Sequence, residues 1–241
     1  MVAPAYNEAD NLRALIPEIA AALDALGERW EIVIADDCSD DGTAEILADL
    51  MARTPELRVL RMRRRSGQSA ALDACLRHAR GRYVATLDAD CQNDPADIPR
   101  LLEMVASGQC DMVNGWRVDR RDNLLRRICT KLGNRLRNLL TRESIHDSGC
   151  GLKVFRRECT ERMRLFHGGH RFFATLVRMD GFRVTEVPVH HRPRTMGRAK
   201  YGFWNRFFRV LRDAVGVRWL QNRTVLYEVD ERTGERAGPP A

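Results

Sequence analysis

Tyr83-Val84-Ala85-Thr86-Leu87-Asp88-Ala89-Asp90 is the stretch on which the fold turns. Five mostly apolar residues, with aromatic and β-branched types among them, run into two carboxylates separated by one alanine. A short apolar run of this kind reads as a strand buried on both faces. The acidic triplet then marks where the strand leaves the core. The same pattern recurs upstream. Met1-Val2-Ala3 leads into Pro4-Ala5-Tyr6-Asn7-Glu8, and Glu31-Ile32-Val33-Ile34-Ala35 leads into Asp36-Asp37-Cys38-Ser39-Asp40-Asp41-Gly42-Thr43. A third strand, expected at 57–62, is followed by Gly67-Gln68-Ser69-Ala70. Between these strands the apolar period changes to that of helices, expected at 11–26, 43–53, 69–80 and 95–107, with a further strand at 112–115. Strands alternating with helices at this spacing predict an α/β fold, a mostly parallel sheet covered by helices. All four polar motifs then lie at the C-terminal edge of that sheet, where open α/β sheets bind their ligands.

Hard divalent cations prefer carboxylate and phosphate oxygens, so Asp88 and Asp90 could hold such a cation together with a diphosphate. Read alone, the triplet fits a solvated β–α turn equally well; its position level with three other motifs favours a site.

The 241 residues carry a net charge of +7, unevenly spread. Residues 117–142 hold nine basic and two acidic side chains, a balance of +7, and residues 183–223 hold ten and two, a balance of +8. The remainder therefore sums to −8. Two basic segments on an acidic body point to an anionic partner: phosphate, nucleic acid or an anionic membrane surface. Seven cysteines, an odd number without CxxC spacing, argue against a disulfide framework or zinc knuckle and for reduced thiols in the cytosol. No apolar run approaches the roughly 20 residues that span a bilayer. The N-terminus runs straight into a motif, so no signal peptide is expected. The first strand has only three residues before Pro4, shorter than a usual core strand, which leads to the expectation that the natural strand begins upstream.

After Arg117 the pattern changes. A helix is expected at 123–140, with Leu125, Ile128, Leu132, Leu136 and Leu139 on one stripe and Arg127, Lys131 and Arg135 on another. Further elements are expected at 152–155 (strand), 171–179 (helix), 182–189 (strand) and 201–220 (helix), with a disordered tail at 228–241. Within 202–215, Phe203, Trp204, Phe207, Phe208, Leu211 and Val215 share one face and Arg206, Arg209 and Arg212 the other. Such a helix can lie in a membrane interface or serve as a core or dimer helix. His167 and His170 have i, i+3 spacing, but no Cys or carboxylate nearby in the sequence completes a zinc set. No helix-turn-helix, zinc-finger or aromatic RNA-binding signature accompanies the basic segments, so no nucleic-acid partner is expected.

The four motifs and their spacing resemble the family 2 glycosyltransferases, with their GT-A (nucleotide-diphospho-sugar transferase) fold, through about residue 115. The second half narrows the likeness. Asp147-Ser148-Gly149-Cys150-Gly151-Leu152-Lys153-Val154-Phe155-Arg156-Arg157 comes first, then His170-Arg171-Phe172. Glu186-Val187-Pro188-Val189-His190-His191-Arg192-Pro193-Arg194 and Gly197-Arg198-Ala199-Lys200-Tyr201 follow. In that order they resemble the polyprenyl-phosphate branch, the dolichol-phosphate mannosyltransferase-like enzymes, from residue 2 to about 220. The resemblance implies a GT-A catalytic domain over 1–200, an amphipathic, membrane-interface helix over 201–227, and the tail. It implies an inverting transfer of a sugar from a nucleotide-sugar donor (GDP-mannose or a UDP-sugar) to a polyprenyl phosphate, with Mg2+ or Mn2+. Pro4, Tyr6 and Glu8 would border the nucleoside, Asp36 or Asp37 would bond the base, and Gly67 and Ala89 would line the nucleotide-sugar site. Asp88 would face ribose and metal, Asp90 would bind the metal, and Gln92 would sit beside a substrate phosphate. Arg126 and Ser148 would meet the acceptor phosphate, and Arg194 and Lys200 would clamp the diphosphate. The family usually has Ser where Ala199 stands and Gly where Cys75 stands, which bears on loop geometry. A cytoplasmic, peripheral place at the inner face of the membrane is implied, with a separate membrane protein or a second copy as possible partners.

A phosphate acceptor needs no base. A hydroxyl acceptor, the other reading, would need one, and Asp147 is then the candidate; its alternative role is to orient Arg126 or cap a turn. From other classes stand a non-catalytic nucleotide-sugar or nucleic-acid binding protein and a nucleotidyltransferase. The latter lacks a Gly-rich lysine signature at the first strand.

Overall fold

The structure, a computed structural model, describes residues 1–118, 124–193 and 203–225; over 124–132 and 203–208 it describes the backbone alone. The side chain of Arg126, the residues Arg194, Ala199 and Lys200, and the tail at 228–241 lie outside the described residues.

Seven strands form one sheet: β1 (Val2–Ala5), β2 (Ile32–Asp36), β3 (Leu57–Arg61), β4 (Tyr83–Thr86), β5 (Met112–Arg117), β6 (Lys153–Arg156) and β7 (Val184–Val189), in the order β3-β2-β1-β4-β6-β5-β7. Six run in one direction. β6 opposes them, pairing antiparallel with β4 (Thr86 beside Lys153) and with β5 (Asn114 beside Lys153). The helices are α1 (Ala9–Asp24), α2 (Thr43–Arg53), α3 (Gln68–His78), α4 (Ile98–Ala106), α5 (Leu124–Thr141), α6 (Phe173–Met179) and α7 (Phe203–Gln221). They cover both faces. Leu12, Ile16 and Ile19 of α1, Leu47 of α2 and Leu101 of α4 pack on one side of the sheet. Ala71 and Cys75 of α3, Phe173 and Val177 of α6 and Ala214 and Val217 of α7 pack on the other. Burial on both faces is why these strands read as continuous apolar runs. Cys75 lies against the sheet, its Sγ 3.6 Å from the carbonyl oxygen of Ala3 and 3.5 Å from that of Val33.

Two helices depart from expectation. On α5 the apolar stripe does not hold to its C-terminal end: Leu139 is 76% exposed, while Arg137 and Thr141 are buried. The last turn is set by α7, whose Gln221 donates to the carbonyl of Thr141 (2.8 Å), and by Arg137, which donates inward to the carbonyl of Ile145 (3.1 Å). On α7 the face turned inward carries Ala214 and Val217, with Val210 partly buried. Val215, expected on the apolar face, points outward, as do Arg209 and Arg212. Helical periodicity gives the width of a stripe, but the neighbouring helix decides its rotation.

Asp111, at the start of β5, ties three strands together at the edge away from the strand-end motifs. It accepts from the backbone N–H of Arg183 (2.8 Å) and from its guanidinium (3.3 Å) ahead of β7, and from the Arg156 guanidinium of β6 (2.7 Å). Burial works to raise its pKa, but these N–H bonds and the two positive charges outweigh it and hold the carboxyl below its ordinary value. A depressed carboxylate stabilises above its unfolded pKa, and that contribution is lost as pH falls through the folded one. Asp111→Asn is therefore expected to cost about 2–3 kcal/mol near pH 7, somewhat less than the cost of breaking a fully buried pair because both arginines reach solvent. Urea unfolding checks it: the gap between the two proteins should close as pH falls through the lowered folded-state pKa of Asp111, and a gap that persists once the carboxyl is protonated would show that the charge is not the cause.

Candidate active site

The order β3-β2-β1-β4 makes β1 the switch point, since β2 and β3 lie on one side of it and β4 on the other. The crevice at the carboxyl ends of β1 and β4 is where an open α/β sheet takes its ligand. Here the loop after β1 meets Asp88-Ala89-Asp90 after β4. The four motif loops are laced into a continuous series. Asn7 and Asp40 bond reciprocally (2.6 and 3.0 Å), and the Glu8 N–H donates to Thr43 Oγ1 (3.1 Å). Asp37 takes the N–H of Ser66 on one oxygen (2.6 Å) and that of Gly67 on the other (2.8 Å). Gln68, at the first turn of α3, donates to Asp88 Oδ1 (2.9 Å). Gly67, at φ +90°, sits in a conformation that a side chain would strain. Asn7, Cys38 and Cys91, one in each of three motif loops, are also left-handed, at φ 54°, 63° and 56°. Backbone strain of this kind collects at functional sites.

The sequence left Asp36 and Asp37 open as partners of the base, and their surroundings differ. Both oxygens of Asp37 are spent on loop amides. Asp36, only 1% exposed, gives Oδ1 to Ser39, while its Oδ2 is buried without a hydrogen-bond partner. Beside them, the Arg65 guanidinium lies 4.0 Å from the centre of the Tyr6 ring.

Around Asp88 the charges alternate. Burial first, then the neighbouring Asp90 charge, pushes its pKa up; Lys153, Arg117 and the Gln68 bond pull the other way. Lys153 is 5% exposed and donates to the carbonyl of Cys150; burial pulls its pKa down, against the opposing pull of Cys150, Asp88 and Asp147. Gly151 presses on Asp88 so closely that an added Cβ would lie 2.5 Å from Oδ2. Arg117, at the end of β5, grips Asp147 with Nε to Oδ2 at 2.7 Å and Nη2 to Oδ1 at 2.9 Å. Burial opposes the charge on Arg117, but the Asp147 bonds prevail and raise its pKa. The loop carrying Asp147 is itself fixed by Glu186 of β7, which accepts from the N–H groups of His146 (2.8 Å) and Asp147 (3.3 Å) and from Asn114 (3.2 Å). The backbone N–H of Arg192 donates to the carbonyl of Gln92 (2.8 Å), and His191 bridges to Asn93, so residues 191–192 run beside the Asp90 loop.

The structure thus brings Pro4, Tyr6, Glu8, Asp36, Asp37, Gly67, Asp88, Ala89, Asp90, Gln92, Asp147 and Ser148 to one edge of the sheet. Pro4, Asp88 and Ser148 line a common cavity of about 100 Å3 with Gln68, Lys153, His170 and Arg171. Three residues that carry the local geometry had no role read from the sequence: Arg117, Gly151 and Lys153. The signal was there for Lys153, a lysine in the apolar run Leu152-Lys153-Val154-Phe155. His170 Nδ1 lies 2.7 Å from Ser69 Oγ, and His167 packs over Gly67, so each histidine of the i, i+3 pair has its own neighbour. Among the described residues no three His, Cys, Asp or Glu side chains converge as a metal cage. Two acidic side chains at a strand end fit a different arrangement, in which a hard cation takes one or two carboxylates and completes its shell with substrate phosphates and water.

The model of the family described as "Glycosyl transferase family 2" matches residues 1–164. The chain is 36% identical over 221 residues to dodecaprenyl-phosphate galacturonate synthase of Rhizobium johnstonii, covering 90% of this chain and 65% of that protein. It is 40% identical over 204 residues to undecaprenyl-phosphate 4-deoxy-4-formamido-L-arabinose transferase of Edwardsiella ictaluri, covering 84% and 62%. The chain therefore spans somewhat less than two thirds of the length of these relatives. Among solved structures it resembles glucosyl-3-phosphoglycerate synthase of Mycobacterium tuberculosis, in complex with phosphoglyceric acid (TM-score 0.67, 18% identity, 91% of this chain and 78% of that one). It also resembles a mannosyltransferase of Pyrobaculum calidifontis in complex with GDP-Man and Mn2+ (TM-score 0.55, 21% identity, 91% and 72%). These neighbours share the GT-A fold expected from the motifs. With the family model covering well over half of its residues, the chain belongs to glycosyltransferase family 2.

Proposed function

We propose that this chain is an inverting glycosyltransferase that moves a sugar from a nucleotide-sugar donor to a polyprenyl phosphate. The observation that carries the reading is the pairing of Asp88 and Asp90 at the switch point, with a cavity that Asp88 lines together with Lys153 and Arg171. The printed names of the two relatives, both built on a polyprenyl phosphate, support the acceptor.

The nucleoside lies between the loops after β1 and β2, and Asp36, through its partnerless Oδ2, meets the base; Asp37 holds the loop at 66–67. Asp90, with Asp88, would hold a divalent cation, Mg2+ or Mn2+, which neutralises charge on the leaving diphosphate. Arg194 and Lys200 are assigned to the same diphosphate, and Arg126 to the acceptor. An oxygen of the acceptor phosphate, anionic near neutral pH because its second pKa is about 6, attacks C1. The bond from C1 to the β-phosphate oxygen breaks, and the nucleoside diphosphate leaves with the bonding electrons. No proton has to be removed from the nucleophile. That suits Asp147, whose two oxygens are engaged by Arg117; it orients that arginine towards Asp88 and does not serve as a base.

The outward side of α5 and α7 supports a place on a membrane surface at the cytoplasmic face. Leu139, Val215, Trp219 (60% exposed) and Val225 are exposed apolar residues, with Arg212 and Arg223 exposed near them on α7 and just beyond. An apolar belt with tryptophan and flanking arginines is the composition that anionic lipid interfaces take. Among the described residues no helix is long and apolar enough to cross a membrane.

Transfer assays with UDP- and GDP-sugars, with and without undecaprenyl phosphate and Mn2+ or Mg2+, test the reading. Sugar should appear in the lipid fraction only with lipid phosphate and metal both present. If lipid phosphate neither accepts sugar nor stimulates donor turnover, the acceptor assignment fails.

A further inference from the structure

Gly67, Gln68 and Ser69 stand together at the start of α3, and each holds a different loop: Gly67 bonds Asp37, Gln68 bonds Asp88, and Ser69 reaches the turn ahead of α6. Ser69 Oγ accepts from the N–H of Gly168 (3.1 Å) and meets Nδ1 of His170 (2.7 Å). Gly168 is shut in from the other side too. It sits at φ +90°, and an added Cβ would lie 2.7 Å from Asp213 Oδ2 of α7, so only glycine fits between the two helices. The Ser69 hydroxyl decides which ring nitrogen of His170 carries the proton. Ser69 is 4% exposed and closed to solvent, and its Oγ has two described contacts. The Gly168 amide can only donate, so it takes an oxygen lone pair. The hydroxyl hydrogen then has one acceptor within reach, His170 Nδ1, and a buried donor left without an acceptor is costly. Nδ1 is therefore the acceptor, and the ring proton sits on Nε2. That nitrogen, across the ring, points away from Ser69, and His170 lines the cleft beside Asp88 and Gln68.

We propose that Ser69 is a positioning residue for sugar transfer: it fixes His170 as an Nε2–H donor, and that N–H bonds an oxygen of the bound nucleotide-sugar beside Asp88. The proposal rests on the reading of the protein as a nucleotide-sugar glycosyltransferase and adds a neutral donor to its charged groups. A hydrogen bond that sets the tautomer before substrate arrives leaves no proton to be moved within the ring at each turnover, which is what a preorganised donor requires.

Whether Ser69 sets the tautomer is read by 15N NMR of histidine-labelled protein. Of the six histidines, His170 is the one whose signals vanish in His170→Asn. In the wild type they should show a protonated Nε2 and a bare Nδ1. In Ser69→Ala the two tautomers should mix, and Ser69→Thr, which keeps the hydroxyl, should restore the wild-type pattern. A proton on Nδ1 in the wild type would overturn the proposal. Whether the Nε2 proton is used is read from two isosteres, since a glutamine amide reaches the position of Nε2 and an asparagine amide that of Nδ1. His170→Asn should lose about tenfold in kcat/KM for the donor, the span of one hydrogen bond, and His170→Gln should lose less. The KM for undecaprenyl phosphate should stay within about twofold in both. Asparagine above glutamine would show that His170 only braces Ser69, and a change confined to the acceptor KM would move the contact to the other substrate; either result overturns the proposal. If the wild type turns over no nucleotide-sugar, the functional reading fails and the donor contact with it, while the spectra still decide the tautomer. If transfer proceeds and the spectra show a proton on Nδ1, the proposal fails and the functional reading stands.

Discussion

Replacing Asp90 by asparagine is expected to lower sugar transfer by about 10³-fold, because on the proposed reading it removes the charge that holds the cation at the leaving diphosphate while keeping the side chain's size and shape. The side chain is half-buried, and its described hydrogen bond, accepted by Oδ1 from the N–H of Gln92 at 3.2 Å, can be made equally by an amide oxygen. Removing Asp90 also removes the like charge that, after burial, does most to push up the pKa of Asp88, so the neighbouring carboxylate becomes easier to ionise as the pair loses its grip on a cation. Single-turnover transfer at saturating donor, together with thermal shifts by nucleoside diphosphate with and without Mn2+, separates these effects. Metal should cease to enhance nucleotide binding in the variant. Retained metal dependence with full turnover would sink the assignment of Asp90.

The second large effect is expected at Gly151, where adding a single methyl group should cost about 100-fold in rate and about 2 kcal/mol in stability. The methyl would arrive 2.5 Å from Asp88 Oδ2, 2.6 Å from its Cγ and 2.9 Å from its backbone nitrogen. The nitrogen belongs to the strand end and the carboxylate is held by Gln68, so neither gives way without displacing the site. No positive φ is involved at this glycine, so the collision alone carries the effect. Gly216→Ala on α7 is the control. A Cβ there meets nothing within 4 Å, and replacing a helical glycine by alanine should be neutral or stabilising by up to about 1 kcal/mol. A Gly151→Ala variant with wild-type kcat would show that the position of Asp88 does not limit the reaction.

Much of this architecture was legible because its determinants are local. Strand runs such as Glu31-Ile32-Val33-Ile34-Ala35 and Tyr83-Val84-Ala85-Thr86-Leu87 announce burial on both faces, and each ends in the polar motif that marks the binding edge. The helix expected at 43–53 is the helix found, Thr43–Arg53. What stayed hidden depends on residues far apart in the chain. Nothing near Arg117 says that it will close on Asp147, thirty residues later, because β5 and the loop before β6 meet only in the folded sheet. The different surroundings of Asp36 and Asp37 were invisible because they are made by Ser39 and by the amides of Ser66 and Gly67. Leu139 shares an apolar stripe with Leu125 in the sequence yet is exposed, because the contact of α7 with Thr141 sets the last turn of α5.

The lone opposed strand has a consequence for how the chain is made. β1 to β4 can pair among themselves as soon as they exist, but one edge of β4 stays open until residues 153–156 have been synthesised, since its second neighbour is β6. β5, although it comes earlier, has no place in the sheet before then, because its partners are β6 and β7. Assembly thus waits on a strand some seventy residues behind the edge it must cover. Long-range pairing of this kind is slow, and an open apolar edge is a template for other chains while it lasts. Nascent chains halted before residue 153 should accordingly be the ones that engage chaperones, and release of that hold should coincide with emergence of β6 from the ribosome.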